Sequence, residues 1–253
     1  MVLNVAHRGF SGKYPENTFL AIKKAVELGV DYIEIDTWIS IDHKVFVIHD
    51  SKLSRTTNGK GLITRKTSEQ INKYRIKNGS QKIPLLEEVF PLIKKGTKLN
   101  IEIKNVFTAK PVAELIKKHK MQNKVMVSSG NILALQVIKK ELPSIKTAYI
   151  FFVSTHPKID YLITSLAKLS FKLTHFYVIL LAKSAKVDYV NLSYPFSTRK
   201  FIRKLHNKGF KVGVWTVNTR SLMKKLIKNR ADSIITNRPD ILKKVLAKKI
   251  KKT

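Results

Sequence analysis

Glu34 and Asp36 stand two residues apart in the run Tyr32-Ile33-Glu34-Ile35-Asp36, and a second apolar run, Val45 to Ile48, leads into His49-Asp50. Short runs rich in β-branched residues read as strands, and alternate side chains of a strand share a face. Both carboxylates therefore project together, while Ile33 and Ile35 project the other way. With Asp42-His43 as a hairpin tip, the two runs pair so that His49 lies opposite Asp36 on the same face. Glu102, in Asn100-Ile101-Glu102-Ile103-Lys104, shares its strand face with Asn100 and Lys104. Gathering acids among isoleucines is costly unless a cation or hydrogen bonds compensate. The cluster predicts a metal-centred active site. His7 and His49 each close an apolar strand, and imidazole titrates near neutrality, so together they form an acid–base pair. The residues alone do not assign which is acid and which is base.

The elements needed to position these groups can be read along the chain. Strands begin near residues 2, 32, 98, 125, 145, 188, 212 and 233. Helical spacing covers residues 17–28, 84–94, 111–119, 132–142, 159–182, 198–207, 222–228 and 239–250. Eight strands alternating with helices predict a (β/α)8 TIM barrel, in which chemistry sits where the strands end. A β-hairpin and a small polar insertion, residues 51–83, follow the second strand. This insertion reads as a long loop without a sustained apolar period. Residues 1–253 read as a single domain.

Composition bounds the rest. Forty-nine Lys and Arg face 17 Asp and Glu, a formal charge of +32, yet only nine of the basic residues are Arg. Lysine spread over the whole chain, with little Arg for bidentate readout, argues against a specific nucleic-acid reader. The chain has no cysteine, which removes disulfides and thiolate metal sites. Its first residues read as a strand, not a leader peptide, and no apolar run reaches the roughly 18 residues of a membrane span. The expected location is cytoplasmic. Residues 161–182 are unusually apolar. They read as a buried barrel helix with its connection, the rival reading being peripheral contact with an anionic membrane.

His7-Arg8-Gly9, Pro15-Glu16-Asn17-Thr18, Glu34-x-Asp36, His49-Asp50 with Leu53-Ser54-Arg55-Thr56-Thr57, Glu102-Ile103-Lys104 and Trp215-Thr216-Val217-Asn218 occur in this order. The ordered set resembles the glycerophosphodiester phosphodiesterases, which share the barrel of phosphoinositide-type phospholipases. The resemblance runs from His7 to Asp240. It implies metal-dependent hydrolysis of a small glycerophosphodiester to glycerol 3-phosphate and an alcohol, with Glu34, Asp36 and Glu102 as metal ligands. Carboxylate oxygens suit one hard divalent cation, Mg²⁺ or Ca²⁺, without choosing between them. Arg8 and Lys104 are placed to hold phosphate oxygens, and Trp215 offers an apolar wall for the glycerol carbons, core packing being its alternative. The attacking oxygen is either water or a substrate hydroxyl that first gives a cyclic phosphate. Glu16 and Asn17 read as helix caps, although the resemblance places Glu16 near the site. Asp50 either orients a neighbour or makes an Asx turn. Three departures touch substrate choice: Asn237 in place of Asp, Asp42-His43 in place of Asp-Gly, and Ser129-Gly130 without an aromatic neighbour. The alternatives are lysophospholipase D activity in the same fold and, from another class, a non-catalytic basic protein binding phosphates or nucleic acid. Oligomeric state is not legible.

Overall fold

The computed structural model describes residues 1–77, 79–94, 96–151 and 171–250. Among these residues nine strands are formed: β1 (Leu3–His7), β2 (Tyr32–Ile39), β3 (Val45–Val47), β4 (Lys98–Ile103), β5 (Val125–Ser129), β6 (Lys146–Phe151), β7 (Tyr189–Ser193), β8 (Lys211–Trp215) and β9 (Ser233–Thr236). All but β3 run parallel in the order β1-β9-β8-β7-β6-β5-β4-β2, and β1 pairs with β2 to close the ring. This is a TIM barrel, with β3 added antiparallel on β2.

Strand alternation builds its two sides. Ala6, Ile33, Ile35, Leu99, Ile101 and Val127 face outward and pack with Ile22 and Ala25 of the helix Phe19–Leu28 and with Val112 and Ile116 of Ala109–Lys118. The inward residues Val5, Tyr32, Met126, Ala148, Tyr189 and Ile235 fill the lower barrel with an apolar layer. The polar inward residues are thereby confined to the upper layer, at the strand ends. The helices after β1, β5, β7 and β8 start on side-chain caps, Thr18, Asn131, Thr198 and Thr219, each accepting from the backbone N–H three residues on.

Several sequence expectations change in detail. The first helix begins at Phe19, because Thr18 caps it and Asn17 is used elsewhere. Residues 84–94 form a short helix, Leu86–Val89, followed by a 3-10 turn, Phe90–Leu92. The hairpin register is one residue off the expected one: Thr37 pairs with Val47 and Ile39 with Val45, so Asp36 lies opposite Ile48, not His49. The tip is a three-residue loop, Ile41 to His43, closed by Ser40 N–H donating to Lys44 O at 2.9 Å. His43 takes a left-handed conformation (φ 61°), the geometry such loops require at their last position. The 51–83 insertion has a core of its own: Leu53, Ile63, Ile71, Ile76 and Ile83 pack with Phe46 and Ile48. Its short helix, Ser68–Asn72, is held to the hairpin tip by Asp42, whose carboxylate accepts from Ser68 N–H at 2.9 Å. The expected 159–182 helix is present as Phe171–Ser184, residues 159–170 lying outside the described residues. It is not wholly buried: Val178, Ile179 and Ala182 face the barrel, whereas Leu173, Phe176, Tyr177 and Leu180 are exposed. No helix among the described residues is long and apolar enough to cross a membrane.

Phe46 is fully buried at the junction of hairpin and insertion. Phe46→Ala is expected to cost about 3–5 kcal/mol in chemical denaturation, whereas Ile41→Ala, exposed at the tip, should stay within about 0.5 kcal/mol. Slight burial works to raise the Asp42 carboxyl, but donors from Ser40 and Ser68 outweigh it and hold it below its ordinary value. A depressed acid stabilises the fold above its unfolded pKa and loses that contribution as pH falls through the folded value. Asp42→Asn should therefore be less stable than the parent at neutral pH, the difference closing as pH drops below about 4.

Candidate active site

Parallel register gathers the acids. His7 pairs with Glu34 across β1 and β2, while Glu34 pairs with Asn100 and Asp36 with Glu102 across β2 and β4. Because alternate residues point inward, all five polar groups reach the same upper layer. One carboxylate oxygen from each of Glu34, Asp36 and Glu102 lies within 4.8 Å of the others, and all three residues are buried. His49 reaches the same cleft by a different route from the expected strand pairing. β3 ends at Val47, and the chain then turns so that the imidazole joins His7, Arg8, Glu34, Asn100, Glu102, Lys104, Asn191 and Trp215 around one opening.

Arg8 and Lys104 carry the compensating charge. Lys104 Nζ sits 2.8 Å from Asp36 Oδ1 and 2.5 Å from Glu102 Oε1. Arg8 Nε is 3.2 Å from Asp36 Oδ2, and Arg8 N–H donates to Glu34 Oε2 at 2.9 Å. That placement needs a sharp bend: Arg8 and Gly9 both have positive φ (56° and 77°). A Cβ on Gly9 would lie 2.7 Å from the Ala21 carbonyl carbon, so only glycine fits. Burial works to lower Lys104, but Asp36 and Glu102 more than offset it and keep the amine protonated. Burial likewise works to raise Asp36, and Lys104 and Arg8 outweigh it, so that acid stays ionised. Glu34 goes the other way. Burial, then Asp36 and Glu102, push its carboxyl well above the ordinary range. Two cations do not balance three acids, and Glu34 Oε1 is buried with no hydrogen-bond partner among the described residues. A hard oxygen donor set with one orphaned, under-compensated carboxylate fits a divalent cation.

Each histidine is anchored through Nδ1. His7 Nδ1–H donates to Asn237 Oδ1 at 2.7 Å, and His49 Nδ1–H donates to Asp50 Oδ1 at 2.6 Å. An amide oxygen and a carboxylate only accept, so both rings present a free Nε2. Burial, with Arg8 adding to it, pushes His7 down to about 4, so this imidazole is neutral. Asp50 is an orienting group and not merely a turn residue. Its own position is set by Arg55, which bonds Asp50 and also donates to Glu16 Oε1 at 2.6 Å. Glu16 accepts from Arg8 NH1 at 3.1 Å, which completes a chain from His49 to Arg8.

The structure thus brings together His7, His49, Arg8, Lys104, Glu34, Asp36, Glu102 and Trp215. Trp215 lines the cleft with Ile150 and Ile235, and its Nε1–H donates to Asn191 O at 3.4 Å. Sequence reasoning missed the supporting residues. Asn17 is not a cap: its amide donates to Asp36 Oδ2 at 2.8 Å, and its Oδ1 accepts from Asp36 N–H at 3.2 Å. Asn237 was visible only as a departure, and Arg55 only as a motif letter. Asn100 carried a usable signal, because it shares a strand face with Glu102.

A profile of the glycerophosphoryl diester phosphodiesterase family matches residues 7–241. A glycerophosphodiester phosphodiesterase of Bacillus altitudinis is 32% identical over 248 residues, covering 93% of this chain and 94% of its own. A second, from Caldanaerobacter subterraneus, is 32% identical over 252 residues, covering 95% and 96%. Among solved structures, a phosphodiesterase of Oleispira antarctica in complex with the product sn-glycerol-3-phosphate superposes with a TM-score of 0.81 at 26% identity, covering 96% of each chain.

Removing Lys104 tests the charge balance without reference to activity. Lys104→Met leaves Asp36 and Glu102 without their shared cation and is expected to destabilise the fold by about 3–5 kcal/mol in chelator. The double variant Lys104→Met/Asp36→Asn should recover most of that loss, measured by the same denaturation.

Proposed function

The chain belongs to the glycerophosphoryl diester phosphodiesterase family, and from that premise we propose that it hydrolyses glycerophosphodiesters to glycerol 3-phosphate and an alcohol by metal-assisted acid–base catalysis. The observation that carries the reading is the buried triad of Glu34, Asp36 and Glu102, flanked by two imidazoles with free Nε2 atoms. The triad would hold one divalent cation, Mg²⁺ or Ca²⁺. When bound, that ion supplies Lewis-acid stabilisation of charge on the phosphoryl oxygens.

The protein's own groups do the remaining work. Arg8 and Lys104 project into the cleft beside the acids and bind the non-bridging oxygens of the phosphodiester, the guanidinium in a forked manner. Trp215, with Ile150, walls the side where the glycerol carbons lie. His7, held neutral by burial and oriented by an uncharged amide, suits the general base: its Nε2 takes the proton of the attacking oxygen, from water or from a substrate hydroxyl. His49, whose Nδ1–H is held by the Asp50 carboxylate, takes the part of the general acid on the leaving-group side. Its Nε2–H delivers a proton to the departing alcohol oxygen as the P–O bond breaks. With a substrate hydroxyl as attacker, the cyclic phosphate is opened by water in the reverse proton sense.

Release of glycerol 3-phosphate from a panel of glycerophosphodiesters tests this directly. Turnover is expected to vanish in EDTA and to return with Mg²⁺ or Ca²⁺. Glu34→Ala should abolish it, and His7→Ala or His49→Ala should each lower kcat by about 10²–10⁴-fold. His49→Ala should be the less impaired of the two on substrates whose alcohol is a good leaving group, since these need no proton. Retained activity in Glu34→Ala would remove the triad from its role. Faster release from lysophosphatidylcholine than from glycerophosphocholine would shift the assignment to lysophospholipase D activity.

A further inference from the structure

We propose that the rim of the barrel between β4 and β7 is a docking face for an anionic lipid surface. In this fold the segment after each strand, and the first turns of the next helix, lie on the side where the cleft opens. Large apolar side chains are left in solvent there on four successive connections. Phe107 follows β4, Leu133 follows β5, Leu173, Phe176 and Tyr177 lie on the helix after β6, and Tyr194 follows β7. These six are 50–76% exposed.

The helix Phe171–Ser184 states the requirement most clearly. Leu173, Phe176, Tyr177 and Leu180 fall at the i, i+3, i+4, i+7 spacing of one helical face and are exposed, while Val178, Ile179 and Ala182 on the other side are buried. A helix apolar on both faces needs a second apolar medium. With 14 residues it is about 20 Å long, too short for the roughly 30 Å of a bilayer core. It suits lying at an interface and not crossing one.

Charge decides what that medium is. Residues 104–113, 130–140, 171–184 and 193–206, which carry the whole patch, contain no acidic residue. Lys110, Lys172, Arg199 and Lys200 are exposed on the same segments. A second copy of the chain brings its own +32 and is repelled. Leu, Phe and Tyr interleaved with Lys match the boundary of an anionic leaflet, where aromatic rings sit at headgroup depth and ammonium groups meet phosphates. This reading is independent of the reaction assigned to the cleft, and the rim residues are not among those lining it.

The test is co-sedimentation of the full chain with vesicles of phosphatidylcholine alone and of phosphatidylcholine with a quarter phosphatidylglycerol, at low and high salt. The parent is expected to bind the anionic vesicles and not the neutral ones. Phe107→Ser/Phe176→Ser/Tyr177→Ser should weaken that binding by about ten-fold or more, with an unchanged denaturation midpoint as the control for folding. Lys172→Glu/Lys200→Glu should weaken it separately and flatten its salt dependence. If the parent ignores anionic vesicles, or if the apolar triple variant binds them as tightly as the parent, the proposal falls. The same holds if the patch instead mediates self-association, or binding to an acidic protein with no affinity for vesicles.

Discussion

Like charges about 4 Å apart repel by about 4 kcal/mol at the effective dielectric of a partly buried site, and the barrel mouth holds three acids within 4.8 Å. Everything around them answers that repulsion. Lys104 bridges two of the acids, Arg8 covers the third through its backbone and reaches Asp36 through its side chain, and Asn17 adds a neutral donor to the most buried carboxylate. What these groups leave uncompensated falls on Glu34, which is pushed toward its neutral form. A divalent cation held by these acids would relieve that repulsion.

The barrel makes such crowding reproducible. Its register sets His7 beside Glu34 and Asp36 beside Glu102 with no adjustable loop between them. The apolar layer beneath, from Val5 to Ile235, keeps water from entering below. Arg8, His49 and Lys104 lie just past their strands, whereas Trp215 closes β8 in register with Ser193; His49 and Trp215 are each tied back by a hydrogen bond, to Asp50 and to the Asn191 carbonyl. Rigid strands thus carry the three acids, and the residues just beyond them carry the cations that compensate them.

The barrel and the acids were legible because both rest on local periodicity: alternate residues in strands, and a regular succession of strands and helices. The hairpin register was not, because it depends on His43 adopting a left-handed conformation that lengthens the tip by one residue. The insertion's core escaped notice because Leu53, Ile63, Ile71, Ile76 and Ile83 meet across loops and share no period. Asn17, Arg55 and Asn237 act through contacts with partners remote in sequence, or bend a local capping signal to another use. The exposed stripe on the helix Phe171–Ser184 shows the limit most plainly. An apolar run records that a surface wants cover, not whether the barrel supplies it.

His7 stands on β1, and the side chain that steadies it, Asn237, follows β9, the strand that seals the ring against β1. A ribosome-bound chain that has not yet emitted β9 exposes the free backbone edge of β1 and leaves one imidazole unmoored. Closure of the ring and anchoring of that imidazole are therefore a single event.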